Sequence, residues 1–403
     1  MSPDIRSLSR SFKSFSLSVA VLGVAVAQAA EPASPVPFET HRIGTFRSEA
    51  CGVADFNGDG RMDVIAGPNL YVAPDWKAVP IRKLDGSVDD QGKGYYDDFM
   101  NLPLDVDGDG KTDVVSCGWF SKSVKWYRNT LGQDGEWPVM QEVPNGNFEC
   151  GDVWDIDGDG QARELLVHSQ ATVWFEAGTL PDGKRGLIRH EVSNKEITFG
   201  GGVGDVNGEG RLDILRPAAW YEGPADPRKD PWIEHSWGIG LGGKDGQVDH
   251  TPQILVYDVD SDGLNDVITS SAHQYGIWWY RQVREGSETR WAQNLIDDTW
   301  TQAHSLALGD LDGDGDLDLV AGKRFMAHNG SDPDEFGPLC VYWYQIERGT
   351  TPHFTRYAIT HAEGIGSGLS AWVVDMDQDG DLDIVTTGKF GGPVLFENRR
   401  NVK

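Results

Sequence analysis

Short apolar stretches alternate with polar, glycine-rich turns along the chain, and no segment carries helical periodicity. The stretch from 305 to 359 shows the unit most clearly. Ser305–Gly309 alternates small and apolar residues, Leu317–Ala321 is a second apolar run, and Leu339–Gln345 and Phe354–Ile359 are a third and fourth. Lys323–Pro338 is a polar connection between the second and third. β-Branched and aromatic residues between turn residues predict four short strands, paired as one antiparallel sheet. The third strand recurs at Val124–Tyr127, Val173–Phe175, Ala219–Tyr221, Ile277–Tyr280 and Val394–Phe396, and its aromatics are expected to pack between sheets. Fourth strands are expected at Pro80–Leu84, Met140–Val143 and Ile188–Val192. The C-terminal unit supplies only two strands after its loop, within 383–397, whereas Phe38–Ile43 matches the fourth-strand pattern. An N-terminal outer strand that completes the last sheet removes an exposed edge. The expectation is an all-β, seven-bladed β-propeller over 38–398, preceded by a linker at 30–37 and followed by a tail at 399–403.

The repeat is counted by its loops. Seven copies of one pattern begin at Asp55, Asp105, Asp155, Asp205, Asp258, Asp310 and Asp375. Oxygens at positions 1, 3, 5 and 9 with glycine at 6 suit a hard cation that takes six to eight oxygen ligands, so several structural calcium ions are expected. The candidate ligands are Asp55, Asn57, Asp59 and Asp63; Asp105, Asp107, Asp109 and Asp113; Asp155, Asp157 and Asp159; Asp205, Asn207, Glu209 and Asp213. The later blades offer Asp258, Asp260, Asp262 and Asp266; Asp310, Asp312, Asp314 and Asp318; Asp375, Asp377, Asp379 and Asp383. Two copies depart from the pattern. The third has Arg163 at position 9 with Glu164 one place late, and the fourth has the longer Glu209 at position 5. Weaker binding, or none, is expected in both.

Of 403 residues, 63 are Asp or Glu against 35 Lys or Arg, for a formal net charge of −28. An acidic surface argues against nucleic acid as a partner. Arg6, Arg10 and Lys13, the apolar run Phe15–Val26 and Ala27-Gln28-Ala29 have the form of a signal peptide over 1–29, so export to the periplasm or beyond is expected. The apolar run is too short to span a bilayer. A closed propeller is expected to be monomeric. Cys51, Cys117, Cys150 and Cys340 stand singly; three full pairings are open, and buried free thiols are expected for at least two.

Candidate chemistry collects on the face opposite the loops. Six residues before each loop aspartate, at the mouth of the innermost strand, stand Glu49, Phe99, Glu149, Phe199, Pro252, His304 and Leu369, with His250 close by. The connections between second and third strands add His168, His273, Lys323, Arg324 and His328. Imidazole with carboxylate suits zinc, manganese or iron, so Glu49, Glu149, His250 and His304 are the expected ligands of one such ion. His273 or His328 would move a proton, and Lys323 or Arg324 would steady an enolate. Tyr95, Tyr96, Trp119 and Trp300 could stack on sugar rings. The alternative is a histidine-rich surface that binds a glycan or protein without chemistry.

The loops with their flanking strands resemble FG-GAP, or VCBS, repeats such as those of integrin α-chain propellers, across roughly 38–398. That resemblance implies calcium between strands one and two of each blade. A second resemblance lies in blades five and six. His273–Trp279, Gln302–Leu306 and Gly322–Asn329 look like the propeller part of aldos-2-ulose dehydratase-like proteins, although the cupin-like domains of the fungal relatives are absent. It implies an exported carbon–oxygen lyase acting on a keto-sugar or glycoside with metal help.

Overall fold

In the computed structural model the described residues are 32–401, except 145, 240–249 and 287. The expected signal peptide, the first two linker residues, Val248, Asp249 and the last two tail residues lie outside them. The described residues form strands and turns and no helix. Accordingly, no helix among them is long and apolar enough to cross a membrane.

Seven four-stranded antiparallel sheets follow one another, six of them in chain order. Their first strands are Cys51–Ala54, Met100–Leu104, Phe148–Trp154, Gly202–Gly204, Leu255–Tyr257, Ala303–Gly309 and Ala371–Val374. The seventh sheet takes its outer strand from the other end of the chain. Phe38–Phe46 pairs antiparallel with Gly392–Asn398, with Phe38 opposite Asn398 and His41 opposite Leu395.

The apolar core divides into seven clusters, one for each gap between neighbouring sheets. One joins Val53, Val64 and Tyr71 of blade one to Val385 and Leu395 of blade seven, which shows the ring closed by packing as well as by strand pairing. The third-strand aromatics fill these gaps, as their recurrence implied: Trp126, Trp174 and Trp343 are all buried. Such side chains supply large apolar areas at about 25 cal/mol per Å2. Near the axis the blades approach closely. A Cβ on Gly52 or Gly202 would stand 2.2 and 1.9 Å from the carbonyl oxygens of Asn101 and Ile254 on the adjoining blade.

Three features differ from the sequence reading. The fourth strand of blade one is Lys77–Pro80, not Pro80–Leu84, because the turn through Pro74 and Trp76 reverses the chain directly after Val72. The connection beyond it holds an extra hairpin, Gly86–Val88 with Gly94–Tyr96, that apolar periodicity did not mark. Blade five ends in a much longer hairpin, Tyr275–Glu285 with Glu288–Thr301. All four cysteines are free and buried.

Candidate functional site

Three blades send charged groups to the mouth of the central channel. Arg324 follows the second strand of blade six and is 2% exposed. Its Nε and Nη2 donate to the two oxygens of Glu49 in blade one, at 2.7 and 3.2 Å. Nη1 donates to Glu149 Oε1 of blade three at 2.8 Å and meets His304 Nε2 at 2.9 Å. The buried guanidinium thus makes charge-assisted hydrogen bonds to both carboxylates. Burial alone would raise Glu149, but the contact with His304 and the adjacent Arg324 hold it well below the usual range. Burial and Arg324 push His304 down, so the ring is neutral. Its Nδ1 is buried without a hydrogen-bond partner.

A histidine chain leads outward from this group. The rings of His304 and His273 lie 5.3 Å apart, and those of His273 and His328 lie 4.2 Å apart. Asp332 serves both outer rings: Oδ1 is 2.9 Å from His328 Nδ1, and Oδ2 is 3.3 Å from His273 Nδ1. Burial pushes His273 down to about 4, whereas the hydrogen bond to Asp332 raises half-exposed His328. The donor atoms of Glu149, His273 and His304 all fall within 4.8 Å of one another, as do those of His273, His328 and Asp332. Either spacing admits a first-row metal ion.

The expected metal set is therefore rearranged. Glu149 and His304 come together with His273. Glu49 grips Arg324 through both oxygens, and His250 Nδ1 lies 2.8 Å from Thr198 Oγ1 with its ring stacked on Phe199. Lys323 is buried and bonded to Thr301 Oγ1 and the Asp334 carbonyl, so its amine is committed away from this group. Arg324 likewise has its donors engaged by protein, which leaves it a poor enolate partner.

Beside the charged group is a pocket of about 180 Å3 lined by Tyr95, Phe99, Trp119, Phe120, Glu149, Arg324, Ala327 and His328. Tyr95 and Trp119 thus face the candidate chemistry. Tyr96 packs on Phe46 instead, and buried Trp300 donates to Tyr344. The extra hairpin brings Tyr95 here: the Gly94 amide donates to Asn329 Oδ1, and Tyr95 Oη donates to the Ala327 carbonyl. Buried Lys389 sits 3.4 Å from the Tyr95 ring centre and is pushed down to about 8 by burial. Sequence reading missed Asp332, Lys389 and the hairpin. Only His328 and its Asp four residues on gave a local signal.

On the opposite face the seven loops share one hydrogen-bonding scheme. The position-1 aspartate accepts the position-6 amide in every blade and the position-4 amide in blades one, two, four, six and seven: Gly58 and Gly60 donate to Asp55 at 2.7 and 2.8 Å. Positions 4 and 6 are left-handed, which glycine adopts readily; Ser261 (φ 58) and Gln378 (φ 65) stand at position 4 in blades five and seven. The position-9 carboxylate is buried below the loop. Asp113 accepts the Val106 amide at 3.2 Å and the Asn129 amide at 2.7 Å, tying the loop to the end of the third strand. Burial pushes Asp113, Asp213 and Asp266 up to about 6 and Asp318 and Asp383 to about 7.

Blade three keeps the position-6 bond, Gly160 donating to Asp155 at 2.8 Å, and a buried carboxylate below the loop. Glu164, one residue late but one methylene longer, accepts the Ile156 amide at 3.0 Å. Its oxygen lies within 4.8 Å of donor oxygens from Asp155 and Asp157, as Asp113 does with Asp105 and Asp107. The donor sets fit a hard cation: converging carboxylates, with Oδ1 of buried Asp260 lacking a hydrogen-bond partner while Oδ2 pairs with Arg281 Nε. Arginines flank several loops, Arg128 reaching Asp107 at 2.6 Å and Arg281 reaching Asp262 at 3.0 Å.

Residues 258–321, from the blade-five loop into the second strand of blade six, match the FG-GAP-like repeat family. No curated protein matches the chain.

Proposed function

We propose that this chain is an exported, calcium-stabilised propeller that acts on a small carbohydrate at the channel mouth, as a carbon–oxygen lyase that removes water beside a carbonyl. The observation that carries the reading is the convergence of Glu149, His273 and His304, of which Glu149 lines an aromatic pocket together with Asp332-bound His328. Stacking on Tyr95 and Trp119 suits the apolar face of a sugar ring. Glu149, His273 and His304 would hold zinc, manganese or iron, which supplies Lewis acidity toward the substrate carbonyl. Asp332 fixes His328 through Nδ1 and leaves Nε2 for the substrate. His328 takes the proton from the carbon next to the carbonyl, and the electron pair forms the new double bond as the β C–O bond breaks. The same imidazolium returns its proton to the departing hydroxide, so water leaves and His328 is regenerated. In the aspartate-rich loops, bound calcium adds its binding free energy to folding.

A second reading, a propeller that binds glycan or protein without chemistry, is favoured by one observation: each nitrogen of the Arg324 guanidinium already meets Glu49, Glu149 or His304. Incubation with a panel of 2-keto-sugars, followed by NMR for the unsaturated product, separates the two. The lyase reading expects product from the wild type and a loss of at least 100-fold in His328→Ala. Ligand binding without turnover across the panel would establish the second reading instead.

A further inference from the structure

The blade-four loop departs from its siblings at Asn207 and Glu209, and these two side chains line a groove of about 580 Å3. The elongated hairpin of blade five builds the other wall. There Arg284, Glu288, Thr289 and Trp291 face Trp220, Glu222 and His235 of blade four. Arg284 Nη2 donates to the Asn207 carbonyl at 2.6 Å, which fixes the hairpin against the loop. Trp220 is held flat by His235, whose ring stacks on it at 4.2 Å while Nε2 meets Glu222 at 2.9 Å. Arg211 pairs with Glu209 at 2.5 Å. Three carboxylates are thus set against two guanidinium groups.

We infer that this groove is a saccharide-binding site, separate from the channel mouth, in which the blade-four cation takes part. Two indoles among amide, hydroxyl, imidazole and carboxylate groups are the surroundings a neutral polyol needs: flat apolar faces to stack on and many directional hydrogen bonds. The near balance of charge disfavours a phosphorylated or acidic ligand. The volume lies within the range of small-molecule sites and exceeds that of the channel-mouth pocket. Calcium takes six to eight oxygens, and Asp205, Asn207, Glu209 and Asp213 supply four ligating side chains, so vicinal sugar hydroxyls can complete its shell from the groove. The unusual residues of this loop are then a binding specialisation.

The test uses the whole mature protein with methyl α-mannoside and methyl β-galactoside as vicinal-diol probes, followed by saturation-transfer NMR and tryptophan fluorescence. Binding of at least one probe is expected, weakened at least tenfold by Trp291→Ala and by Asn207→Ala, and abolished by a calcium chelator. Terbium luminescence on each variant checks that the loops remain folded. His304→Ala should leave this binding unchanged, so failure of the lyase reading and failure of this one are distinguishable. The inference is overturned if neither probe binds calcium-loaded protein, or if binding survives both groove substitutions.

Discussion

Replacing Arg324 by Leu tests the electrostatic reading of the channel mouth. The guanidinium is 2% exposed and bridges Glu49 and Glu149, which come from different blades and are themselves buried. Its removal leaves two carboxylates in a low-dielectric site with His273, His304 and Lys389 nearby, Lys389 Nζ being 3.8 Å from Glu49. Breaking a buried pair on one side costs about 3–5 kcal/mol, most of it the desolvation of the charge left behind. The loss should be seen as a lower urea midpoint at unchanged slope, in saturating calcium so that the loops do not contribute. The triple variant Glu49→Gln, Glu149→Gln, Arg324→Met removes all three charges at once and should recover most of it. A single-variant loss below about 1 kcal/mol, in the range of exposed pairs, would refute the argument. So would a triple variant no more stable than Arg324→Leu.

Other outcomes follow from the loops and the axis. Burial pushes the position-9 carboxylates Asp113, Asp213, Asp266, Asp318 and Asp383 up to about 6 to 7, above their ordinary value of about 4. The stability they contribute in chelator is therefore present below about pH 4 and lost as pH rises through 6 to 7; the melting temperature should fall between pH 5 and 8 in EGTA, and not in excess calcium. Glu164→Ala should lower calcium stoichiometry by one in equilibrium dialysis, whereas Arg163→Ala should not. Ser261→Gly should stabilise by about 1 kcal/mol in urea melts, since it relieves a left-handed non-glycine residue. Gly52→Ala should destabilise by about 1–3 kcal/mol, because the added carbon meets the Asn101 carbonyl at 2.2 Å and backbone must move.

The architecture was legible because each blade repeats its own local rules. Loop spacing counted the sheets, strand deficit at the C-terminus placed the closing strand at Phe38–Ile43 within the observed Phe38–Phe46, and recurring tryptophans marked the gaps between blades. Register within a single blade was less so: blade one turns early at Pro74, which shifted the expected fourth strand. The channel mouth was legible as a list of residues, not as partnerships. Linear spacing brought Glu49, Glu149 and His304 to one ring, but only the fold shows Arg324 reaching across to both glutamates. Asp332 went unnoticed because it sits in a polar connection where an aspartate is unremarkable. Glu164 looked like a lapse in the pattern, yet its extra methylene restores the contact that the late position would lose.

Metal content tests the central claim most directly. Elemental analysis of purified mature protein, after brief chelation and beside His304→Ala and Glu149→Gln, should find about one zinc, manganese or iron per wild-type chain together with several calcium ions. Both variants should lose the transition metal and keep the calcium. Calcium alone in the wild type, or a transition metal that survives both substitutions, would contradict the proposed centre.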